Sequence, residues 1–156
     1  MKIWVATPDE AADVARLMIG FRNWWKRETP PDDVFARGIE RLFADENTDF
    51  LLGAVDSDGA PPVGVCALRY RYGVWLDGLD CCLEDVFVEE SARGTGLGEA
   101  LVQTAIGRAR ERGAKRIELD VNEENKPAAA LYEKLGFSSY VEELGGENRF
   151  MRLHLN

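Results

Sequence analysis

The sequence predicts a single α/β domain over residues 1–156, with a mixed central sheet of about seven strands flanked by four helices. Three observations predict it. Short apolar runs alternate with the period of a strand and longer ones recur at helical spacing, in the order β-α-α-β-β-β-α-β-α-β-β. A glycine-rich turn follows one strand and opens a long helical stretch. With 46% apolar residues in 156 positions the chain suits one core, and no linker, repeat or low-complexity segment divides it.

Residues 3–6 read as the first strand. Thr7-Pro8-Asp9-Glu10 is a capping box with proline just inside the helix start, and a helix runs from it to about residue 26. Thr29-Pro30-Pro31-Asp32 starts a second helix by the same logic, and its Val34, Phe35, Ile39, Leu42 and Phe43 recur at helical spacing. Residues 50–55, the turn Asp56-Ser57-Asp58-Gly59 and residues 63–72 form a hairpin. In the fourth strand, residues 79–89, apolar side chains take odd positions at Leu79, Cys81 and Leu83, then even positions at Val86 and Val88, with Glu84 and Asp85 at the break. Strand side chains alternate strictly, so this parity slip predicts a β-bulge, which leaves ladder N–H groups unpaired where a ligand carbonyl could be held.

Residues 96–112 are the third helix, with Leu97, Leu101, Ala105 and Ala109 on one stripe and Gly113 as its stop. Ile117, Leu119 and Val121 alternate with Glu118 and Asp120 in a fifth strand. A helix over residues 125–135 stops at Gly136, and residues 137–141 and 150–155 supply two closing strands.

Composition excludes several classes of function. Nineteen basic against 28 acidic residues give a net charge of −9, which repels nucleic acid and anionic lipid. That charge either draws cationic substrates or keeps the chain in solution. Apolar stretches are too short to span a membrane, and the first residues lack the apolar core of a signal peptide, so a cytoplasmic location is expected. Cys66, Cys81 and Cys82 have no zinc-site spacing and read as reduced thiols, the adjacent pair pointing to opposite faces of a strand. The one histidine, His154, excludes a Ser-His-Asp or Cys-His mechanism and a histidine-based metal site, so no metal is expected.

The run Val86-Phe87-Val88-Glu89-Glu90-Ser91-Ala92-Arg93-Gly94-Thr95-Gly96-Leu97-Gly98 predicts a pyrophosphate cradle. Its glycines permit close backbone approach, the helix that follows presents free N–H groups and a positive dipole end, and Arg93 adds a cation. A second segment lies downstream: Asn125-Lys126-Pro127-Ala128-Ala129-Ala130-Leu131-Tyr132-Glu133-Lys134-Leu135-Gly136-Phe137. Together the two resemble the GNAT superfamily of N-acetyltransferases, whose signature is Arg/Gln-x-x-Gly-x-Gly/Ala followed by an Asn-led helix ending in Leu-Tyr-x-Lys-x-Gly-Phe. The predicted order of elements is that of the GNAT fold.

The resemblance implies acetyl-CoA as cosubstrate, an amine acceptor and direct transfer in a ternary complex. Val86, Phe87 and Val88 would pair with the pantetheine arm like an extra strand. Arg93, Gly94, Thr95, Gly96, Leu97, Gly98 and Glu99 would wrap the pyrophosphate. Asn125, Ala128 and Lys134 would contact the cofactor, and Tyr132 would protonate the departing thiolate. Around Glu84 the chain is similar to the spermidine/spermine (diamine) N-acetyltransferase branch, which implies Glu84 as the base acting through water, with Asp85 next in line, and a possible homodimer. Trp24, Trp75, Asp77 and Asp85 are candidates for the acceptor site, whereas Arg69 and Arg71 stand where a polyamine would meet repulsion. A small-molecule amine, a protein or peptide amine, and a non-catalytic acyl-CoA sensor all remain open. A dinucleotide-binding half is disfavoured, since position 99 is Glu and the glycines do not directly follow a first strand.

Overall fold

The computed structural model describes residues 1–56 and 59–155. It divides into two compact units, residues 1–118 and residues 119–156. The expected hairpin turn at Ser57 and Asp58 lies outside the described residues.

The first unit is a five-stranded sheet in the order β1-β2-β3-β4-β5. Strands β1 (Lys2–Val5), β2 (Thr48–Ala54), β3 (Gly64–Gly73) and β4 (Gly78–Val88) are antiparallel neighbours, and β5 (Ala114–Glu118) joins β4 in parallel. Helices α1 (Ala11–Trp24) and α2 (Asp32–Phe43) cover one face, where Val14, Leu17 and Ile39 meet Phe50, Leu52, Val65, Ala67 and Phe87. The start of α1 follows a 3-10 turn whose Thr7 N–H donates to the Glu10 carboxylate at 2.9 Å, as the capping box requires. The predicted stripe Leu97, Leu101, Ala105 and Ala109 is buried on α3 (Leu97–Glu111), which covers the other face. Glycine there is a matter of room: a Cβ on Gly64 would lie 2.9 Å from Leu101 Cδ1 and 3.0 Å from Leu97 Cδ2.

Two arginine–aspartate clusters hold the end of the sheet opposite the glycine turn. Buried Asp49 of β2 accepts from Arg108 Nε at 2.9 Å, Arg112 Nη1 at 3.3 Å and the Tyr70 hydroxyl at 3.2 Å, which ties the end of α3 to β2 and β3. Buried Asp80 of β4 accepts from Arg116 of β5 through both of its oxygens, at 2.7 and 3.2 Å. A paired, hydrogen-bonded carboxylate is the form in which such burial is tolerated.

The second unit carries α4 (Lys126–Lys134) and a two-stranded hairpin of β6 (Tyr140–Val141) and β7 (Gly146–Glu147). Two expectations are corrected here. The seven strands split into sheets of five and two, and residues 150–155 form no strand, because alternation marks a face without supplying a pairing partner. The fifth strand starts earlier than its apolar pattern and ends at Glu118, since Gly113, at φ 79°, ends α3 early enough for Ala114 to pair with Leu79.

Candidate active site

The parity slip in β4 is a bulge at Glu84. Against β3, Asp85 pairs with Ala67 and Leu83 with Leu68, so Glu84 is the extra residue. Cys81 and Leu83 then share the α3 face with Val86 and Val88, while Asp85 and Phe87 turn to the α1–α2 face. Glu84 is half-exposed, with Oε2 4.0 Å from Arg69 Nη1, and Arg69 in turn binds the Asp45 carboxylate at 3.2 Å.

Beyond the bulge, β4 has an open edge. Its pairing with β5 runs only from Leu79 to Cys82, so on that side residues 83–88 have no strand partner among the described residues. The Glu89 N–H donates to Val63 O at 2.8 Å, which sets the phase of the ladder. Phe87 therefore bonds across to Val65, while Val86 and Val88 direct their peptide groups outward to the open edge. Arg93 Nε donates to Val88 O at 3.1 Å, and its guanidinium lies over the rings of Trp24 (5.4 Å) and Phe87 (5.9 Å).

The glycine turn follows at once. Gly94 and Gly96 have φ of 76° and 89°, in the left-handed region that favours glycine, and Gly96 is the N-cap of α3. A Cβ at either would touch nothing within 4 Å, so backbone conformation, with open space above it, is what demands glycine. The Thr95 hydroxyl donates to Ala92 O at 2.6 Å and fixes the turn. The first N–H groups of a 15-residue helix converge there with the positive end of its dipole, a site made for an anion.

The profile of the acetyltransferase (GNAT) family matches residues 17–137. The chain belongs to that family. A streptothricin acetyltransferase of Streptomyces lavendulae is 38% identical over 101 residues, 65% of this chain and 49% of the relative. A thialysine N-epsilon-acetyltransferase of Caenorhabditis elegans is 25% identical over 144 residues, 92% and 87% of the two chains. Other curated relatives match over only 24% and 20% of their own length. A crystal structure from Arthrobacter sp. FB24 superposes with TM-score 0.83 at 29% identity, covering 100% of this chain and 96% of that one.

The other half of the GNAT signature, on α4, has a structural job of its own. Phe137 N–H donates to Tyr132 O and Gly136 N–H to Glu133 O, both at 3.0 Å, with Gly136 at φ 96°. That is a Schellman stop, and the Tyr132 and Phe137 rings, 5.8 Å apart, supply its apolar contact. Asn125 is the N-cap residue, and its carbonyl accepts from the Ala129 N–H at 3.0 Å. Ala128 lies on the helix between Asn125 and Tyr132, and Lys134 is its last residue.

Trp75 and Asp77 are not brought to Glu84. They sit in the β3–β4 turn, which lies along β4 from the bulge by about 20 Å at the rise of a strand. Lys115 Nζ ties that turn down through the carbonyls of Leu76 and Asp77. Sequence reasoning passed over Phe21 and gave Trp25 only a generic role, yet both stack into the cluster around Trp24. The signal was their spacing from Trp24 on one helix turn. The cysteines are bystanders: burial pushes the Cys81 thiol up to about 12 and Cys66 up as well, so neither supplies a thiolate at neutral pH.

Proposed function

We propose that this protein transfers the acetyl group of acetyl-CoA directly to the primary amine of a small molecule bound beside it. One observation carries the reading: within a single run of β4 and α3, a carboxylate at a bulge is followed by two outward peptide groups and then by an anion-binding helix start. A thioester with an extended amide arm and a pyrophosphate matches those features in that order.

Acetyl-CoA supplies an activated acyl carbon and a thiolate leaving group. The outward N–H and C=O groups of Val86 and Val88 hold the arm as a strand would, and the turn from Arg93 to Glu99 holds the phosphates through backbone N–H groups. Alkylammonium has a pKa near ~10, so the amine reaches the site protonated and must lose a proton before its nitrogen can attack. Glu84 takes that proton through water, with Asp85 its neighbour on the strand. As the nitrogen bonds to the acyl carbon and the C–S bond breaks, Tyr132 returns a proton to sulfur. Asn125, Ala128, Tyr132 and Lys134 enter this scheme on the family signature alone.

The streptothricin and thialysine enzymes are named for small amines, which favours a small acceptor over a protein terminus. The rival reading is an acyl-CoA sensor without turnover. Incubation with acetyl-CoA and a panel of diamines, arylalkylamines, amino acids and peptides distinguishes them, through release of free thiol and mass spectrometry of the acetylated product. Transfer to small amines supports the proposal. Tight acetyl-CoA binding with no transfer to any amine makes the chain a sensor, and transfer confined to peptides moves the acceptor to protein.

A further inference from the structure

Two indoles stand half in water at the end of α1. Trp24 and Trp25 are 43% and 45% exposed, although they touch each other with centroids 4.6 Å apart. Phe21 lies behind both, at 6.2 and 6.1 Å, and stacks at 5.4 Å on Phe87 of β4. Folding needs the inner pair, Phe21 and Phe87, which join the core. It gains less from exposed tryptophans, and a contiguous exposed aromatic surface beside a reactive group marks a ligand wall. The wall is held in place, because Arg22 donates to Pro30 O at 2.7 Å and pairs with Asp32 at 2.8 Å, fastening the connection between α1 and α2.

Phe87 stands three residues past Glu84, about 10 Å along the strand, on the α1–α2 face. That is about the reach of one ring plus a two- or three-carbon linker ending in nitrogen. The cation of Arg93 already lies on Trp24 and Phe87, so the ring faces there favour planar or cationic groups. On the other side of Glu84, Arg69 is a fixed cation 4.0 Å away. A second ammonium brought to that place is repelled by about 1 kcal/mol in a water-like medium and about 4 kcal/mol at an effective dielectric constant near 20.

We propose that the acceptor is an aromatic monoamine, its ring seated on Trp24 and Trp25 and its nitrogen directed to Glu84, in preference to a polyamine. This rests on the acetyl-transfer reading for the role of the nitrogen, and on the aromatic wall for the class of molecule.

The test is titration of the full chain with phenethylamine and with spermidine, followed by the indole N–H signals in proton–nitrogen spectra. Trp24→Leu and Trp25→Leu assign the two signals and keep the positions apolar. Trp4, whose Nε1 donates to Glu10, and the remote Trp75 serve as internal controls. Phenethylamine is expected to move the Trp24 and Trp25 signals, leave those of Trp4 and Trp75, and bind at least tenfold tighter than spermidine. Spermidine binding as tightly, or phenethylamine moving neither wall signal, overturns the proposal. A parallel turnover assay keeps the two readings apart. Phenethylamine that seats on the wall without being acetylated supports the wall and contradicts transfer; spermidine acetylated while the wall signals stay still contradicts the wall and supports transfer.

Discussion

Glu84 is placed by an irregularity, not by a motif. A regular strand would give it a neighbour across the ladder, whereas the extra residue of a bulge is free to re-aim its side chain. Replacing the carboxylate by its amide keeps size and polarity and removes the base. Glu84→Gln is therefore expected to lower acetyl transfer most at neutral pH and to recover as pH rises, because solvent then deprotonates the amine; pH profiles of kcat/KM check this, and an unchanged profile at full rate would move the role to Asp85 or to water. Tyr132 faces a sharper choice, since its ring is half of the apolar contact that closes α4. Phenylalanine keeps that contact, so Tyr132→Phe should fold normally, bind acetyl-CoA and lose about 10² to 10⁴ in kcat. A variant with undiminished kcat would leave the tyrosine as a helix stop and nothing more.

The elements show which parts of the fold a sequence can carry. The bulge was legible because burial on two faces forces parity, and a slip in parity has few other causes. The helices were legible from their stripes and caps, with α3 and its stop at Gly113 the clearest. The closing strands were not: Met151, Leu153 and Leu155 alternate like a strand, but pairing is a property of two segments and the pattern describes one. The remote position of Trp75 was hidden for a related reason, since nearness in sequence to β4 says nothing of which end of an 11-residue strand carries the chemistry. The packing of α3 onto the sheet was equally invisible, because it depends on Gly53 and Gly64 lying under Leu97 and Leu101. Gly64→Ala pushes a methyl group into two buried leucines and is expected to cost about 1 to 3 kcal/mol by chemical denaturation. An unchanged midpoint would show that α3 can ride up without penalty.

At the scale of the molecule, charge couples to stability through Asp80 as well as through the net excess of carboxylates. Burial alone would raise the Asp80 carboxyl; the hydrogen bonds and charge of Arg116, together with Arg71, override it and hold the group below its ordinary value. A depressed native value means stability that is present in full above the unfolded value, near ~3.9, and is lost as pH falls through the native one. Asp80→Asn should accordingly flatten the steepest part of the acid limb of stability below about pH 4, measured by denaturation at stepped pH, while a limb of unchanged slope would assign acid sensitivity elsewhere. The account as a whole stands on the cradle formed by β4 and α3, and titration with acetyl-CoA followed by backbone amide signals and melting tests it most directly. The amides of Val86, Val88 and residues 94–99 are predicted to shift together, with stabilisation of about 2 to 4 kcal/mol at saturating ligand and none from equimolar NAD. Unmoved amides and an unmoved melt, or an equal response to NAD, would contradict it.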